Sequence, residues 1–486
     1  MNLYLVVILA YLVLLVAIGL YKTRHVKTQE DFAIAGRRLS VFVLICTLVT
    51  TWIGSGSLLG DAGLQFRVGV AGLWSTIASA VAIFLLYFIA PRARAFGKVT
   101  VPDILEARYN VTARILGVVV TVIAYVTIVS YQYRGGGYVL NLVTNGAISE
   151  TQGRLITAAF VIAYTVTAGM LSVAYTDVAN GIILTAGILI TLGYEVHLAG
   201  GLGHIFATLP PSHARLIGGG VDLGSDTRIF TDTLTFGQGM QFFLPGMFLI
   251  LGEAGMYNRF FSAKDAGSAR TATVWWIVGV TVLQTALCLL AMTGSVLFPD
   301  TRPERIIPTM AVNGAVPIVG ALLVAAMVAI IVSTADGFLL VPATNLMRDV
   351  YERFINPAAT DRQKLFFSRG LVVLLGVLAY ALIAAFPSVL AAAYTAYSMY
   401  GFGVTPAILA AFFWKRATTA GGVASITGGM LAVLSWTVAT NIIGHEPWGI
   451  NVAYPGIVVS MALLVFVSLA TPKPDESKWR PFFGAV

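Results

Sequence analysis

Long apolar runs, separated by short segments rich in glycine, proline and charge, repeat along almost the whole chain. A helix needs about 20 apolar residues to cross roughly 30 Å of hydrocarbon, and thirteen runs between residues 2 and 470 reach such a length. Because hydrocarbon offers no hydrogen-bond partners, each run must satisfy its backbone within a helix. The pattern therefore predicts an all-α polytopic membrane protein with about thirteen transmembrane helices.

Two of these runs are interrupted near their middle. The second run contains TTWIGSGS, where Gly54 and Gly56 each weaken a helix by about 1 kcal/mol. The seventh run, which starts at residue 236, contains Pro245 and Gly246, and proline removes a backbone donor and permits a kink. The two runs stand five apart and cross the membrane in opposite directions. Such a pair is typical of an inverted-repeat secondary transporter with a binding site near the membrane midplane.

A polar patch interrupts the apolar run from Val328 to Leu340, where Ser333, Thr334 and Asp336 follow one another. Hydroxyl and carboxylate oxygens at this depth need partners, because each unsatisfied polar group in hydrocarbon costs several kcal/mol. Hard oxygen ligands suit a small cation, and next an ammonium group or a proton. The alternative is structural: the hydroxyls bond the preceding turn and the carboxylate pairs with a basic side chain.

Arg134 lies in the middle of the fourth run, beside three consecutive glycines. A guanidinium at this depth costs about 2.5–3.5 kcal/mol on insertion scales, and its planar fork matches a carboxylate in a bidentate manner. The position indicates an anchor for an anionic solute. The alternatives are an internal salt bridge, with Glu253 or Asp61 as partner, and snorkelling to the outer surface.

Composition and charge agree with a membrane protein. Hydrophobic residues make up 58% of the 486 residues, charged residues 11%, and the mean hydropathy is +0.85. The net charge of +8 does not indicate nucleic acid, because most bases fall in alternate loops, among them Arg259, Lys264 and Arg270 after the seventh run. By the positive-inside rule the N-terminus is outside and the C-terminus cytoplasmic. No nucleophile–base pair or metal-ligand cluster indicates an enzyme.

Six segments in the same order resemble the sodium/solute symporter family, whose members transport proline, pantothenate, sugars, sialic acid and monocarboxylates. The segments are DFAIAGRRLS at 31–40, VTVPDILEARYN at 99–110, YTVTAGMLSVAYTDV at 164–178, YNRFFSAKDAGSAR at 257–270, VSTADGFLLVPATNLMRDVY at 332–351 and FFWKRATTAGGVASITGG at 412–429. The resemblance implies the LeuT-type fold, with two inverted repeats of five helices, one extra N-terminal helix and two extra C-terminal helices.

The resemblance and the run pattern together divide the chain into six parts. They are an N-terminal helix with a basic cytoplasmic loop at 1–40, the first repeat at 41–199, an extracellular loop at 200–235, the second repeat at 236–413, two C-terminal helices at 414–470, and a cytoplasmic tail at 471–486. The loop has paired prolines and a glycine run, which predict a lid on the outer face. The tail is short and is expected to be poorly ordered.

The family resemblance also implies sodium ligands. The main Na⁺ site would take backbone carbonyls of Thr50, Ile53 and Ile330 and the hydroxyls of Ser333 and Thr334. A second Na⁺ would be held by Asp177, Ser333 and Asp336. The alternative for Asp177 is an N-cap at the start of the sixth run, since aspartate caps helices well. Coupling to protons, with Asp336 or Asp177 as the carrier, is the alternative to sodium.

Solute-binding candidates lie on the broken runs and near them. They are Trp52, Gly54 and Ser57 on the second run, Trp74, Ser75 and Thr76 on the third, Arg134 on the fourth and Gly246 on the seventh. Sugar carriers of the family place amide or acidic side chains where this chain has Trp52 and Ser57, which weighs against a sugar. A pocket with apolar walls and one arginine favours a small carboxylate: a monocarboxylate, an amino acid or a sugar acid such as sialic acid.

The expected activity is therefore Na⁺-coupled symport of a small organic solute by alternating access. The expected partners are an anionic solute and the lipid bilayer, without nucleic acid, and the expected form is a functional monomer in the cell (inner) membrane. A proton-coupled symporter and a Na⁺-coupled carrier of a sugar or neutral solute are the alternatives. A channel or a sensor is more remote, because neither a charge ring nor a signalling domain is visible.

Overall fold

The computed structural model describes residues 3–23, 37–96, 100–167 and 170–483. Ten helices in these ranges are long and apolar enough to cross a membrane, and two shorter apolar helices are Leu3–Gly19 and Val41–Trp52. The predicted all-α membrane architecture is confirmed, whereas the count of thirteen spans is not. The predicted basic loop at the end of 1–40 lies largely outside the described residues.

The first half of the chain forms nine α-helices in the described ranges. They are α1 (Leu3–Thr23), α2 (Val41–Trp52), α3 (Ala62–Val68), α4 (Trp74–Phe96), α5 (Val101–Arg108), α6 (Val111–Val143), α7 (Glu150–Thr167), α8 (Met170–Leu198) and α9 (Leu202–Thr208). The π-helix Gly56–Asp61 leads into α3, and the 3₁₀ turn Gly69–Leu73 joins α3 to α4.

The second half continues the same architecture. Its helices are α10 (Phe236–Gly252), α11 (Ala254–Ser262), α12 (Ala266–Leu297), α13 (Ile306–Thr309), α14 (Pro317–Asn345), α15 (Asp361–Leu382), α16 (Val389–Gly403), α17 (Thr405–Phe413), α18 (Thr419–Ile443), α19 (Ala453–Ala470) and α20 (Glu476–Phe483). The π-helix Leu346–Ile355 extends α14. Helix α14 is buried along most of its length and forms the centre of the molecule.

The second span is broken, as its glycines predict. Helix α2 ends at Trp52, and Ile53 has an extended backbone with φ −81° and ψ 93°. Helical dihedrals return at Ser55, with φ −65° and ψ −17°, and the π-helix begins at Gly56. A Cβ at Gly54 would lie 2.9 Å from Gln132 Nε2, and one at Gly56 would lie 2.8 Å from the Tyr397 hydroxyl oxygen. A larger residue at either position would therefore have to push the Gln132 or the Tyr397 side chain aside.

The seventh span is also broken, but the predicted position of the break at Pro245 and Gly246 is wrong. Helix α10 runs through both residues to Gly252, and the extended residue is Glu253, with φ −60° and ψ 116°. The Glu253 carboxylate accepts hydrogen bonds from the backbone N–H groups of Gly255 at 2.8 Å and Met256 at 2.7 Å. The break thus forms where a carboxylate can cap a new helix, whereas one missing proline donor is tolerated inside α10.

The long loop 200–235, called the lid below, packs against the half of the broken span that follows the break. Arg67 at the end of α3 donates hydrogen bonds to the backbone carbonyls of Leu223, Ser225 and Thr227, at 3.2, 2.7 and 3.0 Å. Its guanidinium also lies over the ring of Phe230, 4.7 Å from the centroid. Arg67 therefore attaches the lid to α3 through three hydrogen bonds and a ring contact, and the Phe230 backbone N–H donates back to its carbonyl at 3.0 Å.

The expectation of a poorly ordered tail is wrong, because residues Glu476–Phe483 form α20. Phe482 is buried, and its ring stacks on Phe96 with centroids 4.7 Å apart and meets Phe412 edge-on at 5.5 Å. Burial of one aromatic ring between two others supplies the order that the polar sequence before it does not indicate.

Candidate sodium and solute site

The break after α2 lies against the polar patch of α14. The Thr334 hydroxyl donates a hydrogen bond to the backbone carbonyl of Thr50 at 3.3 Å. Ile53 and Ile330 are fully buried beside this contact. The carbonyl end of α2 carries the negative end of its helix dipole, so the structure brings carbonyl and hydroxyl oxygens together at a place that favours a cation.

Asp177 extends this polar region. It accepts a hydrogen bond from the Ser333 hydroxyl at 2.5 Å, one from the Thr47 hydroxyl and one from the Asn180 amide at 3.4 Å. The interpretation of Asp177 as an N-cap is wrong, because α8 already begins at Met170. The carboxylate instead joins α8 to α2 and α14.

Arg259 is a residue of this region that the sequence analysis missed. Placed by the charge pattern in an inner loop, it lies fully buried in α11, 3.9 Å from the Asp177 carboxylate. Its guanidinium donates to the Thr47 hydroxyl at 3.0 Å, to the Gly255 carbonyl at 2.9 Å and to the Thr51 hydroxyl. A base in an apolar stretch directly after a helix break was the signal that could have identified it.

Asp336, the third member of the polar patch, is buried with 1% of its surface exposed. Its Oδ1 atom has no hydrogen-bond partner in the described part of the chain. Asp177 and Asp336 therefore present two carboxylates to one buried region in which Arg259 is the only guanidinium that the described residues supply. The local charge balance leaves room for one more positive charge.

Aromatic residues line the other side of the break. The Trp52 indole donates to the Ser79 hydroxyl at 3.1 Å, and its ring lies 6.0 Å from that of Tyr397. The hydroxyls of Tyr397 and Tyr131 are 3.5 Å apart. All three aromatic residues are buried, so this wall has little contact with solvent in the structure.

Gln132 was also missed by the sequence analysis. Its Oε1 atom accepts hydrogen bonds from the backbone N–H of Ser55 at 3.0 Å and from the Ser55 hydroxyl at 2.5 Å. Its Nε2 atom is buried and, among the described residues, has no acceptor. The amide thus fixes the broken segment with one end and leaves a donor beside Gly54 with the other. An amide two residues before Arg134 in an apolar span was the available signal.

The other predicted solute residues lie in different places. Ser57, Ser75 and Thr76 line a narrow polar cavity. The Trp74 indole donates to the Leu216 carbonyl of the lid at 3.2 Å. Gly246 faces Ala78, whose Cβ would lie 3.5 Å from a Cβ at Gly246. Ser57 stays beside the break, where its backbone N–H donates to the Gly54 carbonyl at 3.1 Å, and the Ser75 carbonyl accepts from the Ser79 hydroxyl that Trp52 contacts. The solute role of these residues stays a prediction.

Arg134 is held by the backbone after α15. Its Nη1 atom donates to the carbonyl of Pro387 at 2.8 Å, and Nη2 donates to those of Ile383 at 2.7 Å and Phe386 at 2.6 Å. The salt-bridge alternatives are wrong, because Glu253 caps α11 and Asp61 accepts from the Tyr394 hydroxyl at 2.9 Å. The role as a solute anchor stays a prediction for a state in which these carbonyls are released.

The chain is similar to known proteins over nearly its whole length. A model described as "Sodium:solute symporter family" matches residues 32–429. The osmoregulated proline transporter OpuE of Bacillus subtilis is 26% identical over 97% of this chain and 96% of its own. A sodium/proline symporter of Staphylococcus aureus is also 26% identical, over 96% and 93%.

Solved structures show the same fold at lower identity. A Na⁺-coupled sialic acid symporter in a substrate-bound outward-open state superimposes with a TM-score of 0.82 at 16% identity, covering 98% of this chain and 99% of that chain. The transporter MhsT in complex with L-phenylalanine gives a TM-score of 0.53 at 15% identity, over 88% and 98%. The predicted LeuT-type fold is confirmed by these likenesses.

The family match covers most of the chain, and its relatives are secondary transporters, not enzymes. The predicted use of Na⁺ and the transport of a small organic solute across a membrane follow from the same matches. This chain belongs to the sodium:solute symporter family and is a multi-pass, Na⁺-coupled secondary transporter.

Proposed function

We propose that the transported Na⁺ binds where α2 ends against α14. The contact of 3.3 Å between the Thr334 hydroxyl and the Thr50 carbonyl carries this proposal, because the ion would enter between these two oxygens. Carbonyls of Ile53 and Ile330 and the Ser333 hydroxyl complete the cage. Ser333 donates its proton to Asp177, which leaves the lone pairs of its oxygen for the ion.

A second cation would bind between Asp177, Ser333 and Asp336. The unpartnered Oδ1 atom of Asp336 supports this site, as does the presence of two buried carboxylates beside the single guanidinium of Arg259. A buried charge is retained only when it is paired. A second Na⁺ supplies that pairing, and it makes each transport cycle carry more positive charge.

The solute that this site suits best is a small zwitterionic amino acid of the proline type. The relatives named proline transporters support this choice. The free Nε2 donor of Gln132 offers one hydrogen bond to a carboxylate, and the rings of Trp52 and Tyr397 offer faces to a ring and its ammonium group. A net anion is not required, because Arg134 is occupied by backbone carbonyls.

The transport cycle follows from these contacts. Sodium at Thr50 and Thr334 ties α2 to α14 and favours the state in which the solute site faces outward. Solute then closes the outer side, the repeats at 41–199 and 236–413 rock against each other, and both ligands leave inward. Coupling is differential affinity, since each ligand must bind one state better than the other. Inward movement of one positive charge gains about 2.3 kcal/mol per 100 mV.

The same proposal includes an orientation in the cell membrane. The basic loops place the C-terminus in the cytoplasm and the N-terminus outside, so that the lid at 200–235 covers the outer face. Each chain contains both repeats and both walls of the site, so one chain is a complete transport unit.

Uptake of radioactive proline into proteoliposomes tests the proposal. An inward sodium gradient should drive uptake, and choline in place of sodium should abolish it. Excess unlabelled pyruvate or sialic acid should compete poorly. Uptake driven equally by a pH gradient without sodium, or blocked only by sialic acid, would contradict the assignment.

A substitution at Gln132 tests the carboxylate contact. Gln132→Glu keeps the oxygen that accepts from Ser55 and replaces the donor with a second oxygen. A lost hydrogen bond to a charged group costs about 1.5–3 kcal/mol, so the KM for solute should rise at least about tenfold. Sodium binding in the absence of solute should stay unchanged, and an unchanged KM would remove Gln132 from the site.

A further inference from the structure

A second group of polar residues lies buried on the outer side of the break, away from the proposed sodium sites. It occupies the space between the π-helix before α3, the start of α4 and the middle of α12. Its lining residues are Ser57, Asp61, Gln65, Ser75, Thr76, Gln284 and Leu287. The gap between them is too narrow to hold a water molecule.

Three oxygen atoms of this cavity have no hydrogen-bond partner among the described residues: Gln65 Oε1, Thr76 Oγ1 and Gln284 Oε1. Their side chains are buried, with only 2%, 5% and 3% of the residue surface exposed. Leaving a buried polar atom unsatisfied costs about 1–3 kcal/mol. Three such atoms around one space indicate that a ligand satisfies them together.

Asp61 adds a carboxylate to the same cavity. It is 7% exposed, and the Tyr394 hydroxyl donates to its Oδ1 atom at 2.9 Å. No lysine or arginine of the described ranges forms an ion pair with it. The Ser75 hydroxyl donates to the Gly72 carbonyl at 3.2 Å and lies within hydrogen-bond range of Asp61 and Tyr394. The carboxylate of Asp61 can only accept when ionised and has no basic partner in the described ranges, and the amide oxygens of Gln65 and Gln284 also accept, so a cation is the ligand that suits this cavity.

We propose that this cavity binds a small monovalent cation, Na⁺, at a site separate from those next to Ser333. Cations approach oxygen ligands to roughly 2.0–2.6 Å, closer than the roughly 2.7–3.0 Å of a hydrogen-bonded water, so a bare ion suits a narrow space. Asp61 supplies the charge, and Gln65, Thr76 and Gln284 supply neutral oxygens. The proposal rests on the Na⁺ coupling proposed above and adds an ion to it.

The proposed ion is connected to the solute wall through two rings. Tyr394, which bonds Asp61, lies 5.3 Å from the ring of Tyr397, and Tyr397 lies 6.0 Å from Trp52. An ion that holds Asp61 in place therefore orders the tyrosines that form the wall. Binding of the ion and binding of the solute should favour each other, since each pre-orders the other's site.

Binding of radioactive sodium to the purified full-length protein tests the site. Asp61→Asn and Gln284→Leu should each bind one sodium ion fewer per chain than the unmodified protein. Thr281→Val is a matched control, because its buried hydroxyl lies one turn away on α12 and does not line the cavity. The same ion count in Asp61→Asn as in the unmodified protein would overturn the proposal.

Two further readouts separate the ways in which the experiment can fail. Without sodium, Asp61→Asn should unfold at the same temperature as the unmodified protein. Added sodium should raise its unfolding temperature less. A misfolded variant would instead differ already in the absence of sodium. Sodium-stimulated uptake with an unchanged ion count overturns only this site, whereas uptake without any sodium effect overturns the proposed function. A sodium-independent pH response that disappears in Asp61→Asn would assign the cavity to a proton instead.

Discussion

A single hydroxyl, that of Thr334, offers the sharpest test of the sodium cage. Thr334→Ala removes the oxygen that meets the Thr50 carbonyl at 3.3 Å. Loss of one oxygen contact to a charge costs on the order of 1.5 kcal/mol, so the sodium concentration for half-maximal uptake should rise about tenfold. Thr334→Ser keeps the oxygen and should stay close to the unmodified protein. Sodium titration of uptake in proteoliposomes measures both.

Single residues differ in how far the sequence reveals them. Ser333, Thr334 and Asp336 stand out because hydroxyls and a carboxylate are costly in hydrocarbon. Arg134 stands out for the same reason, yet its partners are backbone carbonyls that any residues could have supplied. Gln132 and Arg259 act through helices more than 70 residues away in sequence, and only the packing shows which polar group each one meets.

At the scale of elements, Glu253 starts α11 and ends α10. Its carboxylate accepts from two backbone N–H groups and from the Tyr125 hydroxyl. Glu253→Ala should destabilise the protein by about 1–2 kcal/mol, the usual cost of a lost N-cap. Thermal unfolding of the purified protein measures the loss.

Glu253→Gln is the matched variant for this cap, since its amide oxygen can still accept from a backbone N–H group. It should lose less stability than Glu253→Ala. Equal loss in the two variants would mean that the charge, and not the cap, determines the break.

The two breaks also show which local signals a sequence carries. Glycines at 54 and 56 predict the first break because they lower helix propensity where no side chain fits. Pro245 misleads, since a proline within a span is tolerated when neighbouring helices satisfy the freed carbonyl. The real second break depends on a carboxylate that turns back to cap its own helix, and this contact cannot be read from residue type alone.

At the scale of the whole molecule, the lid carries a buried histidine that should respond to pH. His213 is fully buried beneath Gly69, neither ring nitrogen has a partner in the described ranges, and burial lowers the pKa of this imidazole to about 4 from 6.5. An undocked lid binds the proton with the ordinary pKa, so acid favours undocking. Docking should be strongest above pH 6.5 and weaken as the pH falls towards 4.

Hydrogen exchange of residues 200–235 across this pH range measures the docking of the lid. His204→Gln alters an exposed histidine on the same lid and should leave the profile unchanged. Persistence of full protection at pH 4 would show that His213 does not control the lid.

The overall architecture was the most predictable level, because hydropathy and helix length are dictated by the bilayer. The order of six segments then identified the family, and the family implied the fold. The sequence does not fix the number of spans, for a physical reason. The apolar parts of α1 and α2 are shorter than a full membrane crossing, and their position depends on the helices that pack against them. The order of the tail depended on one ring, Phe482, which the run pattern does not single out.

The glycines at 54 and 56 also constrain how this transporter could evolve. A side chain at either position must displace Gln132, Thr334 or Tyr397, so a substitution there disturbs the residues that form the site. We therefore expect a change of solute specificity to arise from substitutions around the two glycines, with the glycines themselves retained. Na⁺ dependence, which relies on backbone carbonyls, would then persist, while solute specificity would change through the side chains that line the site.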